Sequence, residues 1–93
     1  MADINGLEKR RASLSALVPQ KVLFGGNIQH INIVVMGDAT VAFKLNENIT
    51  DVNDDTSNYL DSYVSQIELY DRNNISSISF ISDKDVNIQW DWR

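Results

Sequence analysis

The pattern of apolar and polar positions along this chain changes period near residue 20. Before it, Leu7, Leu14, Leu17 and Val18 fall on one stripe at i, i+7, i+10 and i+11, with Arg10 and Arg11 beside it, which is the spacing of an amphipathic helix. Asn5 followed three residues later by Glu8 has the form of a capping box, and Pro19 stops the helix by disfavouring α geometry at Val18. The pattern predicts a helix over residues 7–17. About eleven residues are marginal as an isolated helix in water, so this one must pack on the domain or on a partner.

From Gln20 onward the period becomes two. Residues 21–24 read as a strand, Gly25-Gly26 as a turn or bulge, and residues 28–36 as the next strand. Gly37-Asp38 is a hairpin signal of the Gly-X kind, followed by Val41, Phe43 and Leu45 alternating with Ala42 and Lys44. Residues 46–62 read as a long exposed loop, with a helical turn or a short strand near Tyr59 to Val64. Residues 66–70 form a strand, Asp71 to Asn74 a turn, residues 75–82 another strand, and Ser82 to Asp85 a turn. In the last strand Val86, Ile88, Trp90 and Trp92 occupy one face, with Asn87, Gln89, Asp91 and Arg93 on the other. Short strands joined by turns, with no crossover helices, argue an all-β fold. The expectation is a small antiparallel β-sandwich or open barrel of five to seven strands at residues 20–93, preceded by a helical docking segment at residues 1–19.

Composition sharpens this picture. Ten Ile and eight Val favour strands, while ten Asn, ten Asp and nine Ser supply turns. A chain of 93 residues has material for one core and none for a second. The net charge of −5 divides unevenly: residues 1–21 carry four basic and two acidic side chains, giving +2, and the remainder four against eleven, giving −7. Phosphate repels so acidic a body, which disfavours nucleic acid as a partner. No apolar stretch approaches the ~18 residues of a membrane span, and the acidic start Asp3 to Glu8 lacks the features of a signal peptide.

The candidate chemistry is sparse. Zero cysteines exclude disulfides, thiolate nucleophiles and Cys-based metal sites. His30 is the sole histidine and the obvious general-base candidate, but it lies within a strand pattern and no nucleophile elbow accompanies it. Asp51-Val52-Asn53-Asp54-Asp55 matches the first half of a calcium loop. Thr56 then stands where the loop needs Gly and Ser62 where it needs a bidentate Glu, so the EF-hand reading fails and a solvated acidic loop is expected. Trp90 and Trp92 form an aromatic strip that can close the core, seal a subunit interface or stack on sugar rings. No coherent acid, base and nucleophile set is present, so neither catalysis nor a cofactor is expected.

The run Ile31 to Asn46 containing Val41-Ala42-Phe43-Lys44-Leu45-Asn46, then Ile75-Ser76-Ser77-Ile78-Ser79-Phe80, then Val86 to Trp90, resembles the small β-sandwich virion proteins of tailed bacteriophages. That group comprises capsid decoration, head-fibre and tail-accessory proteins. The resemblance covers roughly residues 28–92 and implies a non-enzymatic structural subunit, made in the host cytoplasm, that docks on capsid or tail proteins and forms a homo-oligomer. On that reading Leu7, Leu14 and Leu17 are docking anchors, Arg10 and Arg11 pair with acids at the rim, and Trp90 and Trp92 are interface candidates. Two other readings compete with it. The acidic run from Glu47 to Asp61 could imitate a phosphate track in an inhibitor of a host enzyme, and the tryptophan strip could serve a carbohydrate-binding module.

Overall fold

Strands of seventeen residues cannot run straight through a molecule whose longest dimension is 30 Å, because a rise of about 3.3 Å per residue would carry each about 55 Å. Two such strands organise this chain. The computed structural model describes residues 3–93, apart from the side-chain environment of residues 26, 27 and 73. Its elements are β1 (Ile4–Asn5), β2 (Arg11–Leu14), β3 (Gln20–Met36), β4 (Val41–Leu45), β5 (Asn58–Leu60), β6 (Gln66–Ser82) and β7 (Val86–Trp92). All seven belong to one sheet of order β2-β7-β3-β6-β4-β5, with β1 parallel to β3, curled into an open half-barrel.

The curl comes from a matched pair of irregularities. Between the pairs Leu23–Ser77 and Ile28–Ile75, β3 contributes four residues (24–27) against one on β6. Between Ile28–Ile75 and His30–Tyr70, β6 contributes four (71–74) against one on β3. The two excesses cancel, so the register returns to its starting value while both strands bend. Gly25 (φ 70°) and Asn74 (φ 69°) supply the left-handed backbone there, a conformation glycine and asparagine adopt most readily. On one side of the bend lies a five-strand half, ordered β1, β3, β6, β4, β5. On the other lies a four-strand half, ordered β2, β7, β3, β6.

The core fills the space between the halves. Val22, Phe24, Val41, Phe43, Ile78 and Phe80 from the first meet Ile31, Ile33, Val35, Ile88 and Trp90 from the second, all buried. Phe24 meets the Trp90 ring edge-on, with centroids 6.4 Å apart. The Trp90 indole N–H donates to the Gly6 carbonyl at 3.1 Å, satisfying the one polar atom that this large side chain buries. A smaller cluster of Ala42, Ile49 and Ile81, with Val52 against it, packs separately beneath the loop that follows β4.

The N-terminal helix expected over residues 7–17 does not form, and residues 4–5 and 11–14 are instead hydrogen-bonded into the same sheet as the rest of the chain. The last strand exposes an edge that needs a partner, and β2 supplies it. Arg11 and Ser13 point out, Ala12 is half-buried and Leu14 is buried, a period of two that the seven-residue spacing of Leu7 and Leu14 masks. Ladder hydrogen bonds and burial of Leu14 outweigh the small intrinsic stability of so short a helix. The capping-box residue has a local use: Asn5 Oδ1 accepts from the Leu7 N–H, and its carbonyl accepts from the N–H groups of Glu8 and Lys9, forming one turn. Two further expectations change. Gly37-Asp38 does not make a hairpin, because β3 lies between β6 and β7 while β4 pairs with β5 and β6. Residues 71–74 form the bulge inside β6 instead of a turn between two strands. Within the loop at 46–62, β5 forms the short strand and Ile49 and Leu60 are buried.

Gly6 sits where no side chain fits. A Cβ there would sit 2.4 Å from Phe24 Cε1 and 2.7 Å from Val22 Cγ1, and both side chains are fully buried. Gly6→Ala is therefore expected to destabilise the protein by about 1–3 kcal/mol through overpacking, lowering Tm by at least ~4 °C in a calorimetric or circular-dichroism melt. An unchanged Tm would show that the Trp90–Gly6–Phe24 contact is not a constraint.

Candidate functional site

The four-strand half presents a largely polar outer face. Strand pairing sets Asp91, Asn32 and Glu68 in one row across β7, β3 and β6, and His30 and Tyr70 in the next. Tyr70 is 75% exposed and stacks on the His30 ring with centroids 4.4 Å apart and planes 24° apart. His30 Nε2 is buried without a hydrogen bond, its nearest acid being Glu68 Oε2 at 3.7 Å. A cavity of about 130 Å³ opens here, lined by His30, Asn32, Glu68, Asp91, Trp92 and Arg93. Its lining holds a candidate base and two acids but no hydroxyl or thiol that the base could activate, so the nucleophilic chemistry considered for His30 has no second component there. Among the described residues, no group of three His, Cys, Asp or Glu side chains is placed to hold a metal ion.

The other candidates separate into buried and accessible groups. Leu14 and Trp90 are core residues, and Leu7 is half-buried against the same core. Leu17 is 62% exposed, at a residue with φ 61° whose N–H donates to the Ser82 carbonyl. Arg10 pairs with Asp91 at 2.7 Å, with its guanidinium carbon 4.9 Å from the Trp92 ring centroid. Both partners of that ion pair are exposed, so it positions the turn before β2 more than it stabilises the fold. Arg11 projects from β2 on the outer face. The seven positions thus do not form one surface.

The accessible chemistry lies at the strand edges. The four-strand half ends on one side at β2 and on the other at residues 66–70 of β6, and among the described residues no further strand pairs with either outer side. The hydrogen bonds at the ends of the ladders fix which backbone groups those edges present. Trp90 N–H donates to the Arg10 carbonyl, so residues 10, 12 and 14 bond to β7 and the N–H and C=O of Arg11 and Ser13 face outward. Val35 N–H donates to the Ser65 carbonyl, so residues 65, 67 and 69 bond to β3 and those of Gln66, Glu68 and Tyr70 face outward. Beyond the bend Asn46 closes the edge of β6. Its Oδ1 accepts from Ser76 N–H, Ser76 Oγ and Ser77 N–H, and its Nδ2 donates to the Asn74 carbonyl. Sequence reading found β2 only as part of a helix and did not single out residues 66–70. Residues 66–70 read in the sequence as a strand, and a strand pattern carries no signal that one of its sides stays unpaired.

The acidic loop is held by its own bonds. Asp54 Oδ1 accepts from the Thr56 N–H and hydroxyl, at 2.9 and 2.6 Å, and Oδ2 meets Lys44 Nζ at 2.9 Å. Asp51 Oδ1 accepts from the Asn53 N–H in a local turn. The Thr56 hydroxyl, the Lys44 ammonium and the Thr56 N–H together hold the Asp54 carboxyl at about 2, below its ordinary 3.8. The bond to Asp54 in turn raises Lys44 above its ordinary 10.5.

The chain matches no protein-family model, no curated protein and no solved structure.

A carboxyl with a depressed folded pKa stabilises the fold above its unfolded value, and that stability is lost as pH falls through the folded one. Stability is accordingly expected to fall as pH drops from 3.8 to about 2, and Asp54→Asn to show a shallower fall over that window in urea titrations at stepped pH. Equal slopes for the two proteins would mean that the Lys44–Asp54–Thr56 cluster does not fasten the loop. Lys44 carries the opposite sign, its contribution being present below 10.5 and lost as pH rises past its raised value.

Proposed function

We propose that the protein is a non-enzymatic structural subunit that associates with further copies of itself and docks on a larger assembly, in the manner of decoration or accessory proteins on the head or tail of a bacteriophage virion. The observation that carries this reading is the pair of open edges on the four-strand half, at β2 and at residues 66–70. A small domain that leaves two unpaired strand edges presents backbone groups ready to be paired by another chain. Exposed Tyr63, Val64 and Tyr70 flank the second edge, and Met36 is exposed on the outer face near the first. Such side chains add apolar contact to backbone pairing at an interface. The strand pattern that resembles small virion proteins supports the same reading.

The competing readings have less to use. An inhibitor that imitates phosphate needs carboxylates free to face a partner, and Asp51 and Asp54 are turned into their own loop. A sugar-binding tryptophan strip needs exposed rings, whereas Trp90 is 1% exposed and the Arg10 guanidinium lies over Trp92.

In sedimentation across a wide concentration range, the purified protein is expected to exceed its monomer mass of 10.5 kDa in a concentration-dependent way, and to be found by mass spectrometry in particles purified from the cells that make it. A strict monomer at every concentration, absent from such particles, would remove this reading.

A further inference from the structure

The two free edges of the four-strand half complement one another. We propose that β2 of one copy pairs with residues 66–70 of β6 in the next, so that copies join head to tail by continuing a single sheet. This rests on the reading of the protein as a self-associating structural subunit and adds which surfaces meet and in what register.

Direction and face both permit the join. β2, β7, β3 and β6 are successively antiparallel, so β2 and β6 run in opposite directions. A second copy placed beside the first in the same orientation therefore sets its β2 antiparallel to β6, with the outer faces still on one side. The backbone phase fits as well. The outward-facing groups belong to Arg11 and Ser13 on one edge and to Gln66, Glu68 and Tyr70 on the other. Pairing Arg11 with Glu68 and Ser13 with Gln66 matches outward groups to outward groups, giving hydrogen-bonded pairs at both positions.

Charge selects this register and this partner. The β2 edge belongs to the basic part of the chain, with Lys9 and Arg11 exposed, while the β6 edge carries Glu68. In the proposed register Arg11 faces Glu68, Ser13 faces Gln66, and Lys9, just before the strand, falls beside the exposed Tyr70 ring, where a cation is attracted to the π face. On the inner face Ala12 comes opposite the half-buried Ile67, extending the apolar layer across the joint. Symmetric pairings that superpose the charges are poorer: a β6–β6 pairing centred on Glu68 sets two carboxylates directly opposite each other, and a β2–β2 pairing centred on Arg11 sets two guanidinium groups directly opposite, and like charges so placed are destabilising. Because the two joined surfaces differ, the assembly is heterologous and closes as a ring or extends as a filament.

Proline blocks one edge at a time without breaking the ladders inside the subunit, because the N–H groups of Ser13 and Glu68 point outward. Ser13→Pro and Glu68→Pro are each expected to sediment as monomers while the unaltered protein associates, and an equimolar mixture to form a species of twice the monomer mass and no larger. Circular-dichroism melts of both variants verify that they are folded. Charge reversal gives a second, milder arm: Arg11→Glu or Glu68→Lys alone is expected to weaken association about tenfold, and the double reversal in one chain to restore it. If the unaltered protein associates but a single proline variant associates equally well, or the mixture stays monomeric, the head-to-tail join is wrong while the structural-subunit reading stands. If the unaltered protein is itself a monomer throughout, both are overturned.

Discussion

The constraint on which this fold depends is that two seventeen-residue strands must fit inside a 30 Å molecule. They do so by bending together. Four residues against one on β3 and four against one on β6 produce a corner without losing the register beyond it. If only one strand carried its excess, every pair beyond the corner would shift by three residues, an odd number that would turn the apolar face of β6 away from that of β3. The corner is sealed by Phe24 against Trp90, with Gly6 beneath them. A fully buried aromatic contact thus lies where the two halves of the sheet are joined.

That bend also decides what the surface offers. Each half of the sheet uses a different segment of β3 and β6, so β6 is covered by β4 on one side of the corner and left open on the other. Asn46 ends the covered stretch by bonding three donors of Ser76 and Ser77 and the Asn74 carbonyl. Beyond it the edge at residues 66–70 is a consequence of topology, as is the edge of β2 at the far side of the same half. Both edges leave backbone groups without a strand partner among the described residues.

Much of the strand content was legible because alternation reports burial directly. The reading of β7, with Val86, Ile88 and Trp90 in and Asn87, Gln89 and Asp91 out, agrees with the structure; in β4 Val41 and Phe43 are buried, but so is Ala42 on the other face of the expected half-buried strand, because the loop after β4 covers it. Gly25-Gly26, which reads as a turn or a bulge, lies in a bulge inside β3, and the stretch near Tyr59 to Val64, which reads as a helical turn or a short strand, overlaps β5 at Asn58–Leu60. The first twenty residues depart from their helical pattern for a physical reason: Leu7, Leu14 and Leu17 have helical spacing, yet they lie respectively in a turn, in a strand and at a left-handed corner. Helical periodicity over so short a segment is easily overridden when a neighbouring strand offers a full ladder of hydrogen bonds. The Gly37-Asp38 signal was overridden likewise, since the edges of β3 were already filled by β6 and β7.

By itself, the sequence determined that the protein is all-β with one core, that its basic charge gathers near the N-terminus and its acidic charge beyond it, and that thiol chemistry is excluded. Period, composition and charge are local properties, and they can be read without knowing what touches what. Only the tertiary structure decided which strands are neighbours, that the basic segment is an edge strand of the sheet, and that an edge carrying Glu68 lies at the opposite end of the same four strands. Those facts depend on pairings between residues as far apart as Arg11 and Gln89, which are selected by which edges remain open once the long strands have bent.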